Sequence, residues 1–125
     1  MDASHSPPLL PHHQLRAYGT ALEFLRAVRD TGLRDRELRT QALRAAKSVC
    51  LNLAEGAGRV TRADKARAYD PGKSPEGDTV ARGELVEAIA AVEIAHETGD
   101  ARRDAVARVL AIGGKLYGVL SKLVR

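Results

Sequence analysis

The stretch Ser48–Arg59, "SVCLNLAEGAGR", decides how the chain is read. It starts as good helical sequence and then sets Asn52 and Glu55 about one turn apart on the edge of an otherwise apolar stripe. Gly56 and Gly58 follow, then Arg59. Glycine is a common helix stop, so the segment predicts the end of a helix followed by a basic turn. Upstream, Leu38, Ala42, Ala45, Val49 and Leu53 recur at helical spacing, and Asp35 is placed to cap the helix they form. Arg36, Arg39, Arg44 and Lys47 fall on roughly the opposite side.

Every other long periodic segment is also helical, and no sustained alternation argues for a strand. A first helix is expected from about 13 to 30, with Leu15, Tyr18, Leu22, Leu25 and Val28 inward and Gly32 as its stop. Thr61 and Asp64 resemble a capping box that opens a third helix toward Tyr69. That helix then meets "DPGKSPEGDT", whose prolines and glycines interrupt it over 70–79. The pattern resumes near Val80 with Leu85, Ala88, Ile89, Val92 and Ala95 inward, and Gly99 ends it. Asp100 is expected to cap a last helix with a seam of Val106, Leu110, Gly113, Tyr117, Leu120 and Val124. The expected fold is all-α: an antiparallel up-and-down four-helix bundle over 13–125, its third helix interrupted near 70–79, behind a disordered leader over 1–12.

The chain has 125 residues, enough for one domain able to bury roughly two thirds of its unfolded surface. Its one cysteine, Cys50, has no partner within the chain, which fits a reducing, cytoplasmic setting and a small buried or interface residue. Net charge is +4, unevenly spread: residues 34–67 hold 9 Lys/Arg against 4 Asp/Glu, and residues 68–125 hold 8 against 9. A local excess of that kind attracts polyanions, while the plain alternative is a solvated arginine-rich face. The seams are built of Ala, Leu, Val and Gly and bury little area per residue, so burial of a further face in an oligomer is expected.

Two blocks in order, Ser48 with Asn52 to Gly56 and Arg59, then Ala81, Arg82, Gly83 and Glu87, carry a resemblance. With them the sequence resembles the bacterial four-helix bundle proteins, the intervening-sequence proteins of large-subunit ribosomal RNA. Their signature is a serine, two or three variable residues, Asn-Ile-Ala-Glu-Gly and a basic turn. Here it reads Ser48, Asn52, Leu53, Ala54, Glu55, Gly56, Arg59 and Arg62. A second block, Ala-Arg-Gly-Ser then a glutamate, is matched by Ala81, Arg82, Gly83 and Glu87, with Glu84 where serine is usual. The resemblance covers roughly 13–125 and departs at 70–79, where family members run straight into the second block. It implies an up-and-down bundle, a tendency to pentameric rings, and kinship with the accessory variability protein of diversity-generating retroelements. That protein works with a reverse transcriptase and nucleic acid.

No enzyme class has a constellation behind it. Asn52 and Glu55, with Gly56, Arg82 and Gly83, read as a structural motif that fastens the bundle end, since a lone carboxylate without a nucleophile or second acid makes a poor active site. Glu93 and His96 supply half of a di-iron ligand set with no second copy, and His5, His12 and His13 lie in or beside the leader, so no metal or other cofactor is assigned. Gly72-Lys73-Ser74 lacks the upstream glycine of a phosphate-binding loop, since Arg67 stands there. Gly114 and Gly118 match a membrane packing pattern, but Arg108, Lys115 and Lys122 share that helix and argue against a membrane.

The best functional candidates are cations: Arg36, Arg39, Arg44, Lys47, Arg59, Arg62, Lys65 and Arg67. No stacking aromatics are interleaved with them, so the expected binding is to nucleic-acid backbone, with little sequence dependence and steep salt dependence. The expected function is a non-enzymatic oligomeric bundle that binds RNA or DNA as an accessory protein. The alternative is a protein-interaction ring with 70–79 as its partner-facing loop.

Overall fold

The computed structural model describes residues 10–66 and 76–123, with side chains placed over 10–13, 15–58 and 80–123. Four helices account for nearly all of it: α1 (Arg16–Asp30), α2 (Arg36–Ala66), α3 (Glu76–Glu97) and α4 (Arg103–Leu123). A 3-10 turn, Pro11–Gln14, precedes α1. There is no strand among the described residues. None of these helices is long and apolar enough to cross a membrane.

Each helix packs on two others, α1 and α3 on α2 and α4, with the α2–α3 contact the most extensive. The core runs between all four. Phe24, Leu53, Leu85, Leu116 and Leu120 are its largest fully buried side chains, surrounded mainly by alanine and valine. So much alanine brings the helix axes close. Gly113 marks the tightest approach: a methyl built there would lie 2.8 Å from Ile89 Cδ1 on α3 and 3.0 Å from Phe24 Cε1 on α1.

Several local signals act as their chemistry requires. Asp35 Oδ1 accepts the Leu38 amide at 3.0 Å, an N-cap on α2. Gly32 (φ +62°) and Gly99 (φ +81°) take the left-handed conformation that ends α1 and α3. At Gly99 the chain closes a full Schellman motif, with the Asp100 amide on Ala95 O at 2.8 Å and the Gly99 amide on His96 O at 3.0 Å.

The principal correction concerns the opening stretch. α2 does not end near Glu55; it continues through Gly56 and Gly58 to Ala66 as one helix of 31 residues. Thr61 therefore opens nothing and lies inside α2. Neither glycine has a positive φ, so each keeps helical backbone at a cost of about 1 kcal/mol relative to alanine. Gly56 is buried, and the packing of α2 on α3 offsets the local penalty. The expected interruption also shrinks from its far side, since α3 begins at Glu76 and 76–79 are helical. The rest of it, together with Arg67 and Tyr69, lies outside the described residues, as does the leader expected over 1–12 up to residue 9; Pro11 and His12, expected in that disordered leader, belong to the 3-10 turn.

Two faces are rotated from their expected positions. In α1 the buried residues are Ala17, Thr20, Ala21, Phe24, Ala27 and Val28, while Leu15, Tyr18, Leu22 and Leu25 flank the core half-buried. In α4 the seam is Val106, Val109, Gly113, Leu116 and Leu120, leaving Leu110 40% and Tyr117 43% exposed. In α1 half-buried leucines flank a buried line of mainly small residues around Phe24, and in α4 Gly113 sits at the closest approach between buried valines and leucines.

Asp100 does not cap α4, which starts three residues later. Its carboxylate instead accepts the backbone amides of Arg34 (3.1 and 3.0 Å) and Asp35 (2.9 Å), just ahead of α2. These bonds join the connection between α1 and α2 to that between α3 and α4, so both lie at one end of the molecule. The side chain is only 12% exposed. The amides of Asp35 and Arg34 hold its pKa below the ordinary carboxylate value.

Candidate nucleic-acid interface

The continuity of α2 changes the geometry of the basic set. Arg36, Arg39, Arg44, Lys47, Arg59, Arg62 and Lys65 all belong to one helix, about 46 Å long at 1.5 Å per residue. The inward residues of α2 are Ala42, Ala45, Ala46, Val49, Cys50 and Leu53, all buried. At about 100° per residue, Arg36, Arg44 and Lys47 lie within an arc of about 80° on the side away from that core. Arg62 and Lys65 each stand 18 residues, or five turns, beyond Arg44 and Lys47 and so repeat about the same register. Arg36, Arg39, Arg44 and Lys47 are exposed. The backbone of Arg59, Arg62 and Lys65 is helical; Arg67 falls outside the described residues.

Charge is partitioned by helix. α2 carries seven Lys/Arg against three Asp/Glu, whereas α3 carries six Asp/Glu against one arginine. The two signs meet where α2 packs on α3. There Arg44 Nη2 lies 2.9 Å from Glu87 Oε1 and 3.1 Å from Gln41 Oε1. Arg44 is thus partly engaged by its own chain, while Arg36 and Lys47 project from the outer face; Arg39, expected on that face, is exposed but turned toward the end of α1, beside Thr31 and Leu33. Leu51, 71% exposed, stands on the same side of α2.

Beside Glu87, the Glu84 atom Oε2 is buried with no hydrogen-bond partner. Burial pushes the Glu84 pKa up from its ordinary 4.5, and the neighbouring Glu87 carboxyl adds to the shift by hydrogen bonding and repulsion. The native state therefore holds this proton more tightly than the unfolded chain. The contribution of Glu84 to stability is greatest below pH 4.5 and is lost as pH rises through its raised native value. Asp100 acts in the opposite sense, as does Asp30, whose pKa is lowered by Arg29 and then Arg108. Their stabilisation is present above pH 3.8 and lost as pH falls through their lower native values. Glu84→Gln removes the first effect alone. In melts between about pH 4 and 8, its Tm relative to wild type should climb with pH. A constant offset would show that Glu84 titrates alike in both states.

The proposed structural motif behaves differently from expectation. The Asn52 amide donates to Ser48 O at 2.8 Å and to Ser48 Oγ at 3.0 Å, so it is bonded within its own helix. Glu55 is exposed rather than buried, and it sits in mid-helix instead of at a bundle end. Gly56 is buried, Arg82 half-buried and Gly83 exposed. His96 is exposed, with Nδ1 donating to Ala101 O at 3.1 Å. No group of three His, Cys, Asp or Glu side chains able to hold a metal occurs among the described residues. Cys50 is 6% exposed, and burial raises its thiol pKa, which disfavours the reactive thiolate.

One cluster escaped the sequence reading. The sequence places His12 in the leader, His13 at the start of the first helix and Tyr18 on its inward face. The 3-10 turn brings their rings together, with His12–Tyr18 centroids 4.7 Å apart and edge-on and His12–His13 centroids 4.2 Å apart. The signal available was a His pair one short turn ahead of an aromatic residue. It was hidden because the turn over Pro11–Gln14 depends on packing against α2.

Compared with known proteins, the chain matches no family model and no curated protein.

Proposed function

We propose that this protein is a non-enzymatic, homo-oligomeric up-and-down helical bundle that binds RNA or DNA through phosphate contacts along the outer side of α2. The observation that carries the reading is the uninterrupted α2. It places two separate basic clusters of the sequence along one helix, on which Arg36, Arg44 and Lys47 are exposed on the side away from the core. Phosphates on a nucleic-acid strand form a similarly linear array, and neutralising them releases condensed counterions. The meeting of the two connections at Asp100 supports the alternating helix directions of the bundle.

Self-association, in a ring of five by the family resemblance, has its own support. Val86 and Ile94 on α3 are 50% and 51% exposed, and Leu110 and Tyr117 on α4 are also open. α3 is apolar on more than its core side, the pattern of a helix with a second buried face. The same surface supports the alternative of a protein-interaction ring.

The test is binding of unrelated RNA and DNA sequences across a salt series, with native mass measured on the same preparation. Affinity should fall steeply with salt and vary little with sequence. Replacing Arg36, Arg39 and Lys47 by alanine together should weaken all sequences alike and reduce the slope of log K against log salt by about 3. Absence of binding at about 50 mM salt removes the nucleic-acid reading and leaves the interaction ring.

A further inference from the structure

We propose that the aromatic cluster ahead of α1 is a seat for an unpaired nucleobase, so that the nucleic acid held along α2 is single-stranded. This rests on the reading of α2 as a phosphate-binding face.

The cluster is built rather than incidental. The Leu10 amide donates to His13 Nδ1 at 3.2 Å, which orients the exposed His13 ring and leaves its proton on Nε2. His12 packs between its neighbours, tilted 53° to His13 and edge-on at 79° to Tyr18. Tyr18 and His13 then border an open hollow whose rim includes Arg16, Glu23 and, from α4, Lys115. Three kinds of chemistry meet there. The rings offer π-faces, Arg16 and Lys115 offer positive charge for flanking phosphates, and the Glu23 carboxylate can accept the exocyclic amino group of adenine or cytosine. The carboxylate also makes the hollow a poor seat for a bare phosphate ion, since it repels the anion.

The position fits the basic helix. The 3-10 turn packs on α2. The 15 residues of α1 run back along α2 from the short connection 31–35, so the turn meets α2 about 22 Å from its start, beyond Leu51. That is the half of α2 that carries Arg59, Arg62 and Lys65. The turn itself packs on α2 and its His13 borders the hollow, so a strand that leaves α2 across the turn reaches the rings. A duplex cannot use them, because its bases are already stacked and paired, whereas an unpaired base can turn out onto a side-chain platform.

The experiment uses the full chain and one oligodeoxynucleotide rich in dA and dC, as a single strand and as a duplex with its complement, in low salt. The single strand should bind tighter than the duplex. Tyr18→Ala should weaken the single strand roughly five- to hundredfold, the worth of one base–aromatic stack, and leave the duplex unchanged. Tyr18→Phe should keep wild-type binding. His13→Ala, at an exposed position, should act in the same direction and carries the test if Tyr18→Ala loses helix content by circular dichroism. Equal binding of both forms, with neither ring variant altering it, overturns the base seat while the α2 reading stands. Equal weakening of both forms by Tyr18→Ala and His13→Ala overturns it as well. Binding of neither form removes both readings.

Discussion

Phe24→Ala should lower stability by about 3–5 kcal/mol, a large share of the roughly 5–15 kcal/mol that a domain of this kind has in total. Phe24 is the one phenylalanine in the chain, and the chain has no tryptophan. It is fully buried at the centre of the core, and its ring edge reaches the point where α4 passes closest. The surrounding side chains are mostly Ala, Val and Leu, short groups that cannot swing in to fill the space a ring leaves. The cavity therefore persists and adds to the lost transfer energy. Thermal or chemical denaturation followed by circular dichroism measures it. A loss under 1 kcal/mol would mean that the helices collapse onto the site far more readily than their packing implies.

Gly113→Leu should be destabilising by about 3 kcal/mol or more, for the opposite reason. Even a methyl at this position meets Ile89 Cδ1 at 2.8 Å and Phe24 Cε1 at 3.0 Å. A leucine adds three further carbons to that crowding, and α4 must move away from α1 and α3 together. Gly113→Ala should come near break-even. The helix gains about 1 kcal/mol on replacement of glycine, while the Ile89 methyl and the Phe24 ring edge must both give way. Gly114, the next residue, has nothing within 4 Å of where a Cβ would stand. Gly114→Ala should therefore stabilise by about 0.5–1 kcal/mol. A leucine tolerated at 113 as easily as an alanine at 114 would refute the tight α1–α3–α4 crossing.

Much of the helical framework was legible in the sequence. Asp35 caps α2, Gly32 and Gly99 stop α1 and α3, and the inward stripe of α2 lies where its spacing puts it. These features depend on contacts within a turn or two, so local sequence carries them. The cations of α2 were legible as candidates, but as two clusters on either side of a turn. Their alignment along one helix was not, because Gly56 and Gly58 read locally as a stop. The aromatic cluster was not legible either, since no periodicity links residues 12 and 13 to residue 18 across the 3-10 turn.

By itself the sequence determined that the chain is helical, where several helices start or stop, and that positive charge gathers on one segment. Those properties follow from side-chain spacing, capping chemistry and composition, each acting over a few residues. Tertiary structure decided the remainder. It carried α2 through two glycines because packing on α3 outweighs a local cost of about 1 kcal/mol for each. It turned α1 and α4 so that Phe24 and Gly113 meet at the close approach, with Leu15, Leu22 and Leu25 on the flank of α1. It drew Asp100 to the amides before α2, because the two connections share an end and those amides lack helical partners. In each case a contact between residues distant in sequence overrode a local preference worth about as much as one hydrogen bond.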